Sequence, residues 1–269
     1  MQFKSSLISF IRSHSLFWQF ARTLRRWLTP ILLHPITGWF RYLRFFGEMR
    51  RYNGAGGNAK LANIFPCLSD RTSETTVDPQ YFYQAYWSIE KIHRQGPDHH
   101  VDVGSDVKFI GMLSALHKVT FVDIRPLRVQ LPQLDCQSGT ILALPYKSDS
   151  LLSVSSMHVI EHIGLGRYGD PLDPLGSDKA CAELMRVVAP GGRLYVTVPV
   201  GSARIQFNGQ RVFSIEEILV FFPDMLLESF SLVDNFGLFH KDIQPQSVSF
   251  DEVRGQDFAL GCFEFIKRG

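Results

Sequence analysis

From Pro97 to its end the sequence switches repeatedly between short apolar runs and stretches of helical period. HHVDVG (99–104) ends in glycine and reads as a buried strand, and FIGMLSAL (109–116) reads as a short helical piece. KVTFVDI (118–124), GTILALP (139–145) and the start of LLSVSSMHVI (151–160) read as the second, third and fourth strands. SDKACAELMRVVAPGG (177–192) reads as a helix with Ser177 as its cap and Gly191 past its end. RLYVTVPV (193–200) is a fifth strand, and FSIEEILVFF (213–222) is a helix whose Ser214 and Glu217 suit a capping box. LLESFSLVDNF and FALGCFEFIK close the series as two more strands. Alternation of this kind predicts an α/β fold: a seven-stranded, mostly parallel sheet with helices on both faces. A ligand of such a sheet sits at the carboxyl ends of its strands. With 45% hydrophobic and 20% charged residues in 269, the chain has material for a large core and excludes disorder, collagen-like repeats and a coiled coil.

The stretch before Pro97 has another character. Residues 1–51 hold nine Lys/Arg against Glu48 alone, a net +8, while the other 19 Lys/Arg face 25 Asp/Glu, a net −6. On a helical wheel Leu7, Phe10, Ile11, Phe17, Trp18, Ala21, Leu24 and Leu28 share one face, with Lys4, Arg12, Gln19, Arg22 and Arg26 opposite. A basic amphipathic helical extension is therefore expected. Its partner is an anionic membrane surface, the body of the protein, or a second copy in a homodimer; nucleic acid is disfavoured. No stretch of about 20 apolar residues offers a membrane span, and no signal peptide is expected. The four cysteines, Cys67, Cys136, Cys181 and Cys262, form no CxxC pair, which fits a reducing cytoplasm. The expected location is cytoplasmic, with the inner membrane face as a peripheral site. NGAGGN (53–58) reads as a linker, and a helix is expected after Asp78 as cap and Pro79 in the first turn, ending at Gly96-Pro97. The expected divisions are 1–58, the extension and linker; 59–96, a helical lead-in; and 97–269, the body.

Three strand ends carry the chemistry. Gly104 follows the first strand directly, in Asp102-Val103-Gly104-Ser105, where a ligand can approach the backbone. Asp123 ends the second strand, 21 residues after Asp102, where a carboxylate can accept both hydroxyls of a ribose. Thr140, Ile141 and Leu142, in the third strand's exit, can border an adenine ring.

These segments resemble class I S-adenosylmethionine-dependent methyltransferases over about residues 97–266. The resemblance is carried by HVDVGS, FVDIRP, ILALPY with Ser148-Asp149-Ser150 behind it, MHVIEHI and ELMRVVAPGGRLYVTVPVG. It implies a Rossmann-like sandwich and S-adenosylmethionine as cofactor, held by Asp102, Gly104, Ser105, Asp123, Thr140, Ile141 and Leu142. GSDVKFIGML, FVDIRPL, HIGLGRYGDPLDPLG and FNGQRVFS more narrowly resemble a little-characterised branch whose bacterial members are filed as domains of unknown function. The sequence departs from the family where Asp106 and Lys108 replace further glycines, Thr140 replaces an acid and Leu152 replaces an aspartate.

His158, Glu161 and His162 follow the fourth strand and are the candidate catalytic residues. HVIEH matches the H-x-x-E-H pattern of inverted zinc peptidases, but it lies at a strand-to-helix transition and not within a long helix, so no metal site is assigned. His158 suits a general base. Glu161 and His162 either hold a divalent ion that orients a hydroxylated acceptor or bond backbone groups around the loop. The Gly- and Pro-rich loop after them offers Arg167, Tyr168 and Asp170 to the acceptor, and Asn208 and Arg211 follow the fifth strand on the same rim. Arg167 and Arg211 are expected to clamp a phosphate or carboxylate. The function expected is methyl transfer to a hydroxylated small molecule or glycan-type acceptor. The alternative is a non-catalytic protein of the same fold that acts as a peripheral membrane or partner-binding module.

Overall fold

The computed structural model describes residues 35–247 and 258–269. The first 34 residues, with the whole of the amphipathic face expected above, lie outside the described residues. The chain divides into two compact units at Thr76/Val77.

In the first unit, helix α1 (Pro35–Gly54) ends where Asn53 turns back on the chain. Its side chain donates to Ala59 O (3.0 Å) and accepts from Ala59 N (2.8 Å), so NGAGGN is a fastened turn. Glu48 pairs with Arg71 at 3.1 Å. Trp39, Phe40 and Leu43 of α1 are more than 60% exposed.

The second unit begins with α2 (Pro79–Gln95), capped by the Asp78 carboxylate on Gln80 N and Tyr81 N and closed by Gly96 in the left-handed region. The sheet strands are β1 (His100–Val103), β2 (Val119–Asp123), β3 (Leu134–Ser138), β4 (Leu151–Met157), β5 (Val188–Val200), β8 (Met225–Val233), β9 (Phe239–His240) and β10 (Ala259–Lys267). They lie in the order β3-β2-β1-β4-β5-β10-β8-β9. The first five are parallel; β10 enters antiparallel between β5 and β8. Two-residue β9 is the eighth strand, beyond the seven expected. A separate hairpin joins β6 (Arg204–Gln206) and β7 (Gln210–Val212).

Helices cover both faces, as a parallel sheet requires. On one face α2 and α3 (Val107–Leu113) set Trp87, Ile92, Phe109, Ile110 and Leu113 on Val119, Phe121, Met157, Tyr195 and Cys262. On the other, α4 (Gly176–Val187) and α5 (Ile215–Phe221) pack with Val101, Val154, Val196, Phe230 and Phe263. The fold is thus the expected Rossmann-like sandwich. Polar links also seat α2: Gln84 accepts from Thr197 Oγ1 at 2.9 Å, and Lys91 reaches Ser229 (2.7 Å), Asp242 (2.7 Å) and Glu264 (3.2 Å).

Two local expectations are corrected. The third strand is LDCQS (134–138), not GTILALP. As an edge strand it bonds only β2 and carries little apolar signal, while Ile141 and Leu144 are buried from a turn. Ser177 does not cap α4; Leu175 holds that position, and Ser177 Oγ donates to Ile160 O at 2.8 Å, tying the helix to the segment after β4. The Ser214–Glu217 capping box of α5 is present. No helix among the described residues is long and apolar enough to cross a membrane.

Candidate active site

Strand order reverses at β1: the chain runs outward to β2 and β3, then returns to place β4 on the other side of β1. Loops leaving β1 and β4 part here, and a cleft opens at the carboxyl ends of the strands. It comprises two adjoining hollows of about 560 and 630 Å³, which share Gly104, Asp123, Arg125, His158, His162 and Tyr168.

Gly104 has φ +77°. A Cβ there would stand 3.1 Å from Val159 Cγ1 and 3.8 Å from Asp123 Oδ2, so only glycine keeps the turn open towards that carboxylate. Asp123 Oδ1 accepts from Arg125 N at 2.6 Å. Its Oδ2 has no donor among the described residues. Thr140, Ile141 and Leu142 border the first hollow, where Thr140 Oγ1 accepts from Leu142 N at 3.2 Å. Asp106 does not line a glycine-type loop; its carboxylate caps α3 through Lys108 N and Phe109 N.

Asp102 and Ser105 lie behind this wall. Asp102 is wholly buried, and Ser105 Oγ donates to it at 2.7 Å while accepting from Met157 N at 2.9 Å. Ser105 reaches the second hollow's lining, but Asp102 borders neither hollow.

His158 follows β4 in the left-handed region, φ +56°, and turns the chain into the Ile160–His162 helical turn. Its Nδ1 meets Glu161 Oε1 at 2.6 Å. Its Nε2 and Glu161 Oε2 are buried without a hydrogen-bond partner among the described residues. The imidazole stacks on Tyr81 of α2, with centroids 5.4 Å apart and planes at 29°. His162 Nδ1 donates to Gly209 O at 2.8 Å, and burial, the largest influence, holds its pKa below the usual histidine value. Among the described residues no group of three or more His, Cys, Asp or Glu is arranged to hold a metal ion.

The acceptor-side candidates separate. Tyr168 faces both hollows, with the guanidinium of Arg125 4.5 Å from its ring centroid and that of Arg167 5.2 Å away. Arg167 also donates to Gly209 O at 2.9 Å. Asp170 borders the first hollow but accepts from Gly164 N at 2.7 Å and Tyr168 N at 3.2 Å, so it organises its own loop. Burial opposes its ionisation; the backbone donors outweigh that and keep its pKa low. Asn208 is exposed between β6 and β7. Arg211 is not paired with Arg167 as an anion clamp: it is buried and donates to Ile163 O (2.6 Å), Pro174 O (3.3 Å) and Asp173 O (3.4 Å). Two residues absent from the sequence reading enter the cleft, Tyr81 and Arg125. Tyr81 is far off in sequence, whereas Arg125 stands two residues past Asp123, where a strand exit could have pointed to it.

Architecture and cleft together define the class I methyltransferase fold. More particularly, residues 145–254 match a sequence-family model described as a Caenorhabditis protein of unknown function, DUF268; the expected bacterial branch finds no support in that description. No curated protein matches the chain. Among solved structures, the [4+2]-cyclase SpnF is similar at 14% identity and TM-score 0.50, covering 91% of this chain and 94% of that one. A putative methyltransferase from Haloferax volcanii, solved with the Trm112 activator, has 14% identity, TM-score 0.45 and coverage of 72% and 100%. Haemonchus contortus phosphoethanolamine N-methyltransferase 2, solved with phosphomonomethylethanolamine and S-adenosylhomocysteine, has 14% identity, TM-score 0.45 and coverage of 74% and 60%. One of these is a cyclase by name, so the fold alone does not specify the reaction.

Proposed function

We propose that residues 77–269 form an S-adenosylmethionine-dependent methyltransferase for a hydroxylated small molecule or glycan-type acceptor. The observation that carries this reading is the Gly104 turn. Its positive φ leaves free the space a Cβ would fill, opposite an Asp123 oxygen with no donor among the described residues. That cradle fits a ribose, and the unpartnered His158 Nε2 on the same cleft fits a group that handles a proton. Asp123 would hold the ribose hydroxyls, Gly104 and Ser105 the adjoining backbone, and Thr140, Ile141 and Leu142 the adenine. When bound, the cofactor supplies an electrophilic methyl group on a sulfonium. His158 Nε2 accepts the proton of the acceptor hydroxyl. Glu161, on Nδ1, fixes the tautomer and balances the charge the imidazole gains. Tyr81 holds the ring's plane, and Tyr168 with Arg125 and Arg167 bounds the acceptor side.

Calorimetry of the full chain tests the reading. S-adenosylmethionine should bind, and Asp123→Asn, which keeps an acceptor for Arg125 N, should weaken binding by about 1.5–3 kcal/mol. Absence of binding heat at millimolar ligand overturns the cofactor assignment.

A second reading concerns residues 1–51 as an anionic-membrane contact. The exposure of Trp39, Phe40 and Leu43 on a helix that also carries Arg41, Arg44, Arg50 and Arg51 favours it. Trp39→Glu/Phe40→Glu should lower sedimentation with phosphatidylserine vesicles; equal sedimentation rejects the reading.

A further inference from the structure

The two hollows of the cleft differ in what borders them. Val122, Ile124, Ile141 and Leu142 give the first an apolar wall. The second, of about 630 Å³, has Arg125 and Arg128 of the loop after β2 at its border, with Tyr81, Tyr168 and His158. That volume takes a small molecule. His158 brings to it an Nε2 that is buried without a hydrogen-bond partner among the described residues. The arginines are uncommitted as well. Among the described residues neither the Arg125 nor the Arg128 side chain donates a hydrogen bond, and the nearest acid to Arg125 is Asp123, with Oδ1 3.8 Å from Nε. The Arg125 guanidinium rests 4.5 Å from the Tyr168 ring centroid, and that of Arg167 lies 5.2 Å from the same ring. Arg167 gives one N–H to Gly209 O. Two cations therefore share one aromatic ring, within about a Debye length of each other. The ring attracts each without neutralising either. The carboxylates around them are already engaged: Asp106 with Lys108 N and Phe109 N, Asp170 with Gly164 N and Tyr168 N, and Glu161 with His158.

We propose that the second hollow receives an acceptor that carries a phosphate or carboxylate beside its hydroxyl, and that the Arg125 guanidinium binds this anion. The proposal rests on the methyltransferase reading above and names the class of its substrate: a hydroxylated small molecule with an oxyanion. A guanidinium offers two parallel N–H groups, which match the two oxygens of a carboxylate or phosphate. Three contacts keep Arg125 at the cleft. Its backbone N–H is held by Asp123 at 2.6 Å, its Nε stands in ion-pair range of the same carboxylate, and its plane lies against Tyr168. None of these takes up the side-chain N–H groups. Arg128 adds a second charge from the same loop. Arg167, across the shared ring, adds a third. A ligand with an anion at Arg125 and a hydroxyl at His158 would meet both unpartnered groups of the hollow at once, and a neutral polyol would meet only one.

The test is calorimetry of the full chain saturated with S-adenosylhomocysteine, titrated with glycerol 1-phosphate, glycerate and glycerol. The two anions should bind and glycerol should not. Arg125→Met keeps the backbone bond to Asp123 and should weaken the anions by at least about tenfold, with S-adenosylhomocysteine affinity nearly unchanged. Arg125→Lys should recover only part of the loss, because an ammonium does not bind an oxyanion through two parallel N–H groups. The Arg125 side chain is 65% exposed, so both variants should fold. S-adenosylhomocysteine carries a carboxylate of its own, and 5′-methylthioadenosine lacks it, so the pair separates the two sources of an anion. If Arg125→Met weakens S-adenosylhomocysteine but not 5′-methylthioadenosine, the guanidinium holds the cofactor, and the proposal is overturned. Absence of anion binding, or equal anion affinity in wild type and Arg125→Met, also overturns it and leaves the cofactor reading standing. A wild-type chain that binds no S-adenosylhomocysteine overturns both.

Discussion

Replacing Gly104 by alanine tests the turn on which the cleft depends. At φ +77° an L-residue is strained by about 1–2 kcal/mol. The new Cβ would also stand 3.1 and 3.3 Å from the two Val159 methyls, closer than ordinary contact, so Val159 must yield by a few tenths of an ångström. Overpacking of this size adds about 1 kcal/mol. The sum, about 2–3 kcal/mol, corresponds to a fall in Tm of about 4–12 °C for a body of this length. The same methyl points towards Asp123 Oδ2 at 3.8 Å, into the gap where the ribose is assigned. S-adenosylmethionine affinity should therefore fall at least tenfold, an effect separate from stability. Thermal unfolding followed by circular dichroism reads the first quantity, and calorimetry well below Tm reads the second. Val159→Ala in the Gly104→Ala background relieves the contact but not the dihedral strain, so it should return about a third of the lost stability. Gly104→Ala with Tm within about 1 °C of wild type and unchanged affinity would refute the reasoning.

Arg211→Ala removes the donors to Ile163, Asp173 and Pro174, and should cost about 2–3 kcal/mol while speeding amide exchange across 163–176. Arg211→Lys should recover little, because a single ammonium cannot span three carbonyls; unchanged exchange in Arg211→Ala would count against the brace. Lys91→Met leaves buried Glu264 with Arg193 as its remaining cation at 2.6 Å, and should destabilise the body by about 3 kcal/mol. A Tm equal to wild type would show that the Lys91 links contribute no net stability.

What short-range rules govern was legible in the amino-acid order. Apolar runs ending at Gly104 and Asp123 located β1 and β2, the periods located most helices, and Asp78 and the Ser214–Glu217 pair marked two helix starts within a few residues of themselves. From these follow the sandwich and the end of the sheet that carries the cleft. The third strand escaped because β3 is an edge, needing one bonded neighbour and little burial, while the apolar ILAL segment lines a turn. Polar residues were the harder case, since local spacing does not reveal a side chain's partner. Asp102, Ser105 and Arg211 were legible as strand-end or rim residues. It takes the packed chain to bring Asp102 to Ser155 on a strand about 50 residues away, to set the Arg211 guanidinium on the loop after β4, and to lay Tyr81, on a helix ahead of the sheet, over His158. A carboxylate in water and the same carboxylate buried between β1 and β4 are one letter in the sequence. The contacts that separate them arise when distant strands pair.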